Sequence, residues 1–222
     1  MPPRSMEVNP VGDNPLMERW RCPFWIAALV FGLTVAQLLV AVLVPGIERF
    51  EGKAFPVRLV VNPLMMLASP AVWWWHQRRT NGSDPAPWGA FTLIMAAFLI
   101  DVTGNSLDLY DSVEWWDNFS HFLTWIPLCA GIGLLICGSI RPPWAILAVV
   151  TGLGAILAIC WEVGEWYTFI RLGTELEGAY EDTLSDELLG MVGGFIAALF
   201  VAWRSNSYRR GAPAINVEAN TG

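Results

Sequence analysis

The sequence carries little charge for its length. Lys, Arg, Asp and Glu make up 15% of the 222 residues, where a soluble domain carries about a quarter. Lysine occurs once, at Lys53, outside every long apolar run, so no helix offers a Schiff-base lysine. A net charge of −7 without a basic stripe argues against nucleic acid as a partner, because nothing would meet the phosphates.

Several catalytic motifs are also missing. There is no Gly-x-Ser-x-Gly segment and no phosphate-binding glycine loop, which argues against the enzymes built on them. Four cysteines are present without a CxxC pair. Cys129, Cys137 and Cys160 lie inside apolar segments, and we interpret them as small apolar residues rather than as disulfide partners or metal ligands.

Long apolar runs dominate what is present. Each is about 20 residues long, enough for a helix to cross roughly 30 Å of hydrocarbon, and the runs lack the alternation of a membrane barrel strand. The sequence therefore predicts an all-α fold, a polytopic six-helix transmembrane bundle within residues 22–204, with flexible cytoplasmic tails at 1–21 and 205–222. The predicted spans are about 24–45, 56–76, 88–110, 117–138, 144–171 and 183–204.

The distribution of basic residues predicts the orientation. Short loops on the cytoplasmic side of a membrane are enriched in Lys and Arg. With both termini inside, the inner flanks hold Arg4, Arg19, Arg21, Arg78, Arg79, Arg141, Arg204, Arg209 and Arg210. The outer flanks hold Arg49, Lys53, Arg58 and Arg171. This asymmetry predicts that both termini are cytoplasmic and that the chain is a multi-pass protein of a bacterial inner membrane.

Acidic residues gather at one predicted end of the last four spans. Within each span their spacing of three or four places them on one helix face. A carboxylate in hydrocarbon costs about 3 kcal/mol even on lenient scales, so four helices that accept this cost at one depth need a common reason. The residues are Asp101, Asn105 and Asp108 in the third span, Asp117 and His121 in the fourth, Glu162 and Glu165 in the fifth, and Asp182 and Asp186 in the sixth.

A metal site is the leading interpretation of this cluster. Oxygen-rich ligation with one imidazole suits Mn, Fe, Zn or Mg, and carboxylates paired on facing helices are how helical bundles build such centres. The expected metal ligands are His121, Glu162, Glu165 and Asp186. Asp117 would orient His121, and Asp182 would serve as a ligand or base. Asp101, Asn105 and Asp108 are additional candidates.

Two other interpretations stay open. In a metal-free site, Asp117 and His121 would form an acid–base pair, with Asp182 in the catalytic set. Alternatively the carboxylates are structural: Asp117, Asp182 and Asp186 suit helix starts, where they cap the first turn and complement the dipole. The structural interpretation explains Asp101, Glu162 and His121 poorly, because they are deeper or at the wrong helix end.

These interpretations lead to three classes of function. A metal site at this depth suits an enzyme that acts on a lipid headgroup or another membrane substrate. The same carboxylates suit a cation or proton transporter. The tryptophan-rich surface suits an accessory subunit of a larger membrane complex, or a homo-oligomer. In every case the lipid bilayer is a partner.

Three segments of the second half resemble known motifs. WDNFSHF at 116–122 resembles Tyr-Asp-x-x-x-His-Phe, WEVGEW at 161–166 resembles Tyr-Glu-x-x-Glu-Trp, and YEDTLSD at 180–186, running on to Gly190, resembles Trp-Asp-x-x-x-Asp-x-x-x-x-x-x-Gly. Together they resemble the YjdF-like family of bacterial inner-membrane proteins, distantly related to the VanZ-like proteins. The sequence departs from the family at Trp116 and Asn118, and 173–175 keeps only a trace of the family's Gly-Thr-Gln-Gly-Asp run.

The resemblance implies a shared polar core but no established activity. By position, that core would consist of Asp117, His121, Glu162, Glu165, Asp182 and Asp186.

Overall fold

Seven α-helices, six of them long, make up almost all of the chain that the computed structural model describes, residues 22–171 and 178–211. No strand occurs in these two ranges. The predicted terminal tails, apart from residues 205–211, lie outside the described residues. The long helices are α1 (Phe24–Leu43), α2 (Phe55–Thr80), α3 (Trp88–Ser106), α4 (Trp116–Ile136), α5 (Pro143–Glu165) and α6 (Ala179–Gly211), and the seventh is Leu109–Ser112.

The six long helices confirm the predicted fold class. Each contains an apolar stretch long enough to cross a membrane. Proline marks several of the helix starts, where its fixed φ and missing N–H are tolerated: Pro143 is the first residue of α5, and Pro87 immediately precedes α3.

Three predicted boundaries were wrong. The third span was expected to reach residue 110, but α3 ends at Ser106 and Asp108 takes a left-handed φ of 64°, which Asp tolerates better than most residues. The fifth span was expected to be one helix to residue 171, but α5 ends at Glu165 and a π-helical turn follows. The sixth was expected at 183–204, but α6 runs over Ala179–Gly211 and takes in part of the predicted tail.

Glycines on α6 set its close packing against α4 and α5. A Cβ at Gly193 would lie 2.6 Å from the Phe122 carbonyl oxygen of α4. A Cβ at Gly154 of α5 would lie 3.3 Å from the Gly194 Cα, and a Cβ at Gly194 would lie 3.4 Å from the Gly154 Cα. Contacts this short are possible only without side chains. This close packing holds α6 against α4 and α5.

The core and the surface divide as a bilayer requires. A buried apolar cluster between α4, α5 and α6 includes Cys129, Leu134, Ile146, Val150 and Val201. Exposed tryptophans lie near both ends of the bundle, as in the aromatic belts of membrane proteins. They are Trp25, Trp75, Trp144 and Trp203 at one end and Trp115 and Trp166 at the other. We call the second end, where α3 ends and α4 begins, the acidic end.

Candidate metal centre

His121 lies at the centre of the acidic end. It is in the second turn of α4 and is only 7% exposed. Its Nε2 atom is 3.6 Å from Asp117 Oδ1 and 3.6 Å from Asp186 Oδ2, and its Nδ1 atom is 3.9 Å from Glu162 Oε1. All three distances exceed an ordinary N–H···O hydrogen bond of about 2.9 Å. Carboxylates from α4, α5 and α6 therefore surround one imidazole without hydrogen-bonding to it at these atoms.

Two groups of three residues share this imidazole. Asp117, His121 and Asp186 form the first, and His121, Glu162 and Glu165 form the second; within each group the potential ligand atoms lie within 4.8 Å of one another. Donor atoms around an ion at about 2.1 Å stand roughly 3.0–3.4 Å apart in octahedral or tetrahedral geometry. Small side-chain rotations would bring either group to that spacing. The structure thus holds a buried His/Asp/Glu group that could bind a metal.

Asp186 is the most deeply buried carboxylate around His121. The residue is 1% exposed, and its Oδ1 atom has no hydrogen-bond partner among the described residues. An unsatisfied buried acceptor costs about 1–3 kcal/mol, and more when it is charged. By contrast, the neighbouring Glu165 is hydrogen-bonded: its Oε1 atom accepts from Trp161 Nε1 at 2.8 Å. A bound cation or a proton would therefore stabilise the buried Asp186 carboxylate.

A buried ion pair lies next to the His121 group. Arg58 Nη1 of α2 is 2.6 Å from Asp101 Oδ2 of α3, and both side chains are nearly buried. Asn105 donates to Asp101 Oδ1 at 3.1 Å. Asp101 and Asn105 therefore belong to an ion-pair network rather than to either group around His121. The sequence signal for Arg58 is its place inside an apolar span, where an arginine requires a counter-ion.

Tyr110 connects this ion pair to the start of α4. Its hydroxyl stands 2.9 Å from Ser120 Oγ and 3.3 Å from Asp101 Oδ1. Burial raises the pKa of the Tyr110 phenol well above its ordinary value, so the group stays protonated and donates. Ser120 in turn donates to the backbone carbonyl of Asp117. The ion pair and the His121 group are thereby held in one hydrogen-bonded structure.

Asp108 takes a different position from the expected one. The prediction that Asp108 shares a helix face with Asp101 and Asn105 was wrong, because α3 ends before it. Lys53 Nζ stands 2.6 Å from both Asp108 Oδ1 and Asp111 Oδ2. The hydrogen bond from Lys53 holds the pKa of Asp108 below its usual value, so this carboxylate is ionised at neutral pH and fastens the 44–54 loop to the 107–115 loop.

The remaining predicted residues divide between the site and its rim. Asp117, expected to orient His121, lies in a group of potential ligands with His121 and Asp186, and its orienting role stays a prediction. Asp182 lies exposed one turn before Asp186, outside both groups. The segment 173–175, compared above with the glycine-rich run, is outside the described residues.

Comparison with known proteins gives one finding. No curated protein and no solved structure matches the chain. A protein family described as "Predicted membrane protein (DUF2238)" matches residues 25–207, a range that covers nearly all of the six long helices and every residue of the His121 groups. The chain is therefore an integral membrane protein that belongs to the DUF2238 family.

Proposed function

We propose that the chain is a membrane-embedded metalloprotein that holds a divalent cation at His121 and acts on the headgroup of a lipid. The buried carboxylate of Asp186 carries this proposal: its Oδ2 atom lies 3.6 Å from Nε2 of the buried His121, and its Oδ1 atom has no hydrogen-bond partner in the part of the chain that the structure describes. Oxygen-rich ligation with one imidazole suits Mn, Fe, Zn or Mg. A cation there would neutralise Asp186 and its neighbours together.

The exposure of the ligands supports a lipid substrate. The side chains of Glu162 and Asp186 are 6% and 2% exposed, whereas that of Asp117 is 36% exposed. The site thus opens at the start of α4, where the rings of Trp115 and Phe119 are exposed as well. Aromatic side chains of this kind lie at headgroup level. A headgroup would meet the ion from the Asp117 side, with Asp182 available at the rim as a base.

The interior favours a site over a transport path. Toward the other end of the bundle the space between α4, α5 and α6 is filled by side chains such as Cys129, Leu134, Val150 and Val201. A path for ions across a membrane needs polar or ionisable groups along its length. These buried apolar side chains favour reaction at one face over transport.

The count of basic residues supports the proposed orientation. The flanks on the side of the termini hold nine Arg residues, and the flanks at the acidic end hold four basic residues. This asymmetry favours cytoplasmic termini and an outward-facing acidic end. We propose a bacterial inner membrane and a YjdF-like, distantly VanZ-like, subgroup on the three motifs above. A reporter fused at residue 112 should be active outside the cytoplasm; cytoplasmic activity would reverse the orientation.

Metal analysis tests the first half of the proposal. Wild-type protein purified without chelator should contain Mn, Fe, Zn or Mg, and His121→Ala should lose it, because the imidazole joins both groups of ligands. His76→Ala is the matched control: His76 is the other histidine of the chain and lies near the opposite end of α2. Equal metal content in all three proteins, or none in the wild type, would refute the site.

Lipid analysis tests the second half. Metal-loaded protein in vesicles of phosphatidylethanolamine and phosphatidylglycerol should release or transfer headgroups, and His121→Ala should not. Mass spectrometry of the extracted lipids measures the change. Unchanged lipids beside a stoichiometric metal would leave the metal site in place and reject this substrate class.

A further inference from the structure

We propose that the centre takes two divalent cations, one on each side of the His121 ring. This inference rests on the proposed metal site and specifies its number of ions. The first position would lie between Nε2, Asp117 and Asp186, and the second between Nδ1, Glu162 and Glu165.

The two nitrogens of His121 face different carboxylates, which is the first argument for two ions. The two nitrogens of an imidazole point away from each other, so one ion cannot bind both. In the structure Nε2 is the atom nearest Asp117 and Asp186, at 3.6 Å each, whereas Nδ1 is the atom nearest Glu162, at 3.9 Å. Nε2 therefore faces Asp117 and Asp186, and Nδ1 faces Glu162. Glu165 joins the second side because its ligand atom lies within 4.8 Å of those of His121 and Glu162.

The negative charge of the four carboxylates is the second argument for two ions. Four carboxylates surround the ring, and Glu162 and Asp186 among them are more than nine-tenths buried. Two of the four basic residues assigned to this end bind other carboxylates: Arg58 binds Asp101, and Lys53 binds Asp108 and Asp111. The other two lie over aromatic rings, Arg49 over Phe50 and Arg171 over Tyr167. One divalent ion balances two carboxylates, and two such ions balance all four. Coordination through both nitrogens also displaces the ring N–H proton, which passes to solvent. The imidazolate then adds one negative charge, so the two-ion centre carries a net charge of −1, against −2 for one ion beside a neutral imidazole.

Hydrogen bonding distinguishes the two positions. On the Nε2 side, Asp186 Oδ1 has no hydrogen-bond partner among the residues that the structure describes, so this carboxylate offers a free oxygen. On the Nδ1 side, Glu165 is already oriented by Trp161, the kind of outer contact that fixes a ligand in place. We therefore expect the Nδ1 position to be preformed and the Nε2 position, with its half-open Asp117, to exchange its ion more readily.

The experiment is a titration of metal-free protein with Mn²⁺, read as bound ions per chain by elemental analysis after desalting. Wild type should bind two ions per chain, Glu165→Gln and Asp186→Asn one each, and His121→Ala none. Asp84→Asn, at the opposite end of the bundle where Asp84 accepts from Gln77, is the control and should bind two.

The outcomes separate this inference from the proposed function. A wild type that saturates at one ion overturns the two-ion arrangement and leaves the metal site standing. No bound ion overturns both. If Glu165→Gln and Asp186→Asn each lose all metal while remaining folded by circular dichroism, the ligands serve a single ion and the two-ion arrangement is wrong.

Discussion

Replacing Arg58 by Ala should destabilise the protein by about 3–5 kcal/mol, because it leaves the Asp101 carboxylate without its counter-ion within the bundle. Arg58 Nη1 and Asp101 Oδ2 are 2.6 Å apart, with side chains 14% and 13% exposed. Neither group has ready access to water when its partner is removed. Unfolding in mixed detergent micelles, followed by circular dichroism, measures the change in free energy.

A double variant separates the charge from the packing. Arg58→Met with Asp101→Asn removes both charges and keeps an amide oxygen to accept from Asn105, so it should recover most of the loss. Arg79→Ala is the control on the same helix; its guanidinium stacks over the Trp75 ring at the opposite end, and its loss should cost about 1 kcal/mol or less. If Arg58→Ala and Arg79→Ala unfold alike, the buried ion pair does not stabilise the fold as argued here.

Replacing Gly193 by Ala should both destabilise the bundle and weaken metal binding. The new Cβ would lie 2.6 Å from the Phe122 carbonyl oxygen and 3.0 Å from Trp125 Cβ, both on α4. Backbone cannot rotate away as a side chain does, so α6 must move from α4, and overpacking of this kind costs about 1–3 kcal/mol. Asp186 lies about two turns before Gly193 on the same face and would move away from His121.

Gly152→Ala is the matched control for Gly193→Ala. Gly152 lies in the apolar part of α5, and nothing stands within 4 Å of its hypothetical Cβ. This change should leave metal content intact and stability equal or slightly higher, by about 1 kcal/mol or less, because Ala favours a helix. Thermal unfolding and elemental analysis of both variants give the comparison. A Gly193→Ala protein that matches Gly152→Ala in both would contradict the close contact between α6 and α4.

The fold was largely predictable because the bilayer imposes it. Uncharged runs of about 20 residues have few alternatives to a spanning helix, and all six were found. Helix ends were less predictable. The ends near Ser106 and Glu165 depend on a left-handed residue at Asp108 and a π-helical turn at Trp166–Ile170, and neither leaves a clear mark in the local sequence.

The site was predictable in its members but not in its pairing. Helical spacing brought Asp117, His121 and Glu162 to one end of the bundle on the sequence alone. It gave no information on which nitrogen of His121 faces which carboxylate, because that depends on the rotation of α5 and α6 about their axes. It also placed Asp101 with the acidic group, whereas Arg58, from a distant part of the chain, binds it.

A structure of the metal-loaded protein, with anomalous diffraction recorded at the absorption edge of the bound metal, tests the central claim most directly. The account predicts an anomalous peak about 2.0–2.2 Å from a nitrogen of His121, in contact with carboxylates of Asp186 or Glu165. A peak confined to another part of the chain, or a hydrogen-bonded His121 group without a peak in protein that contains stoichiometric metal, would contradict it.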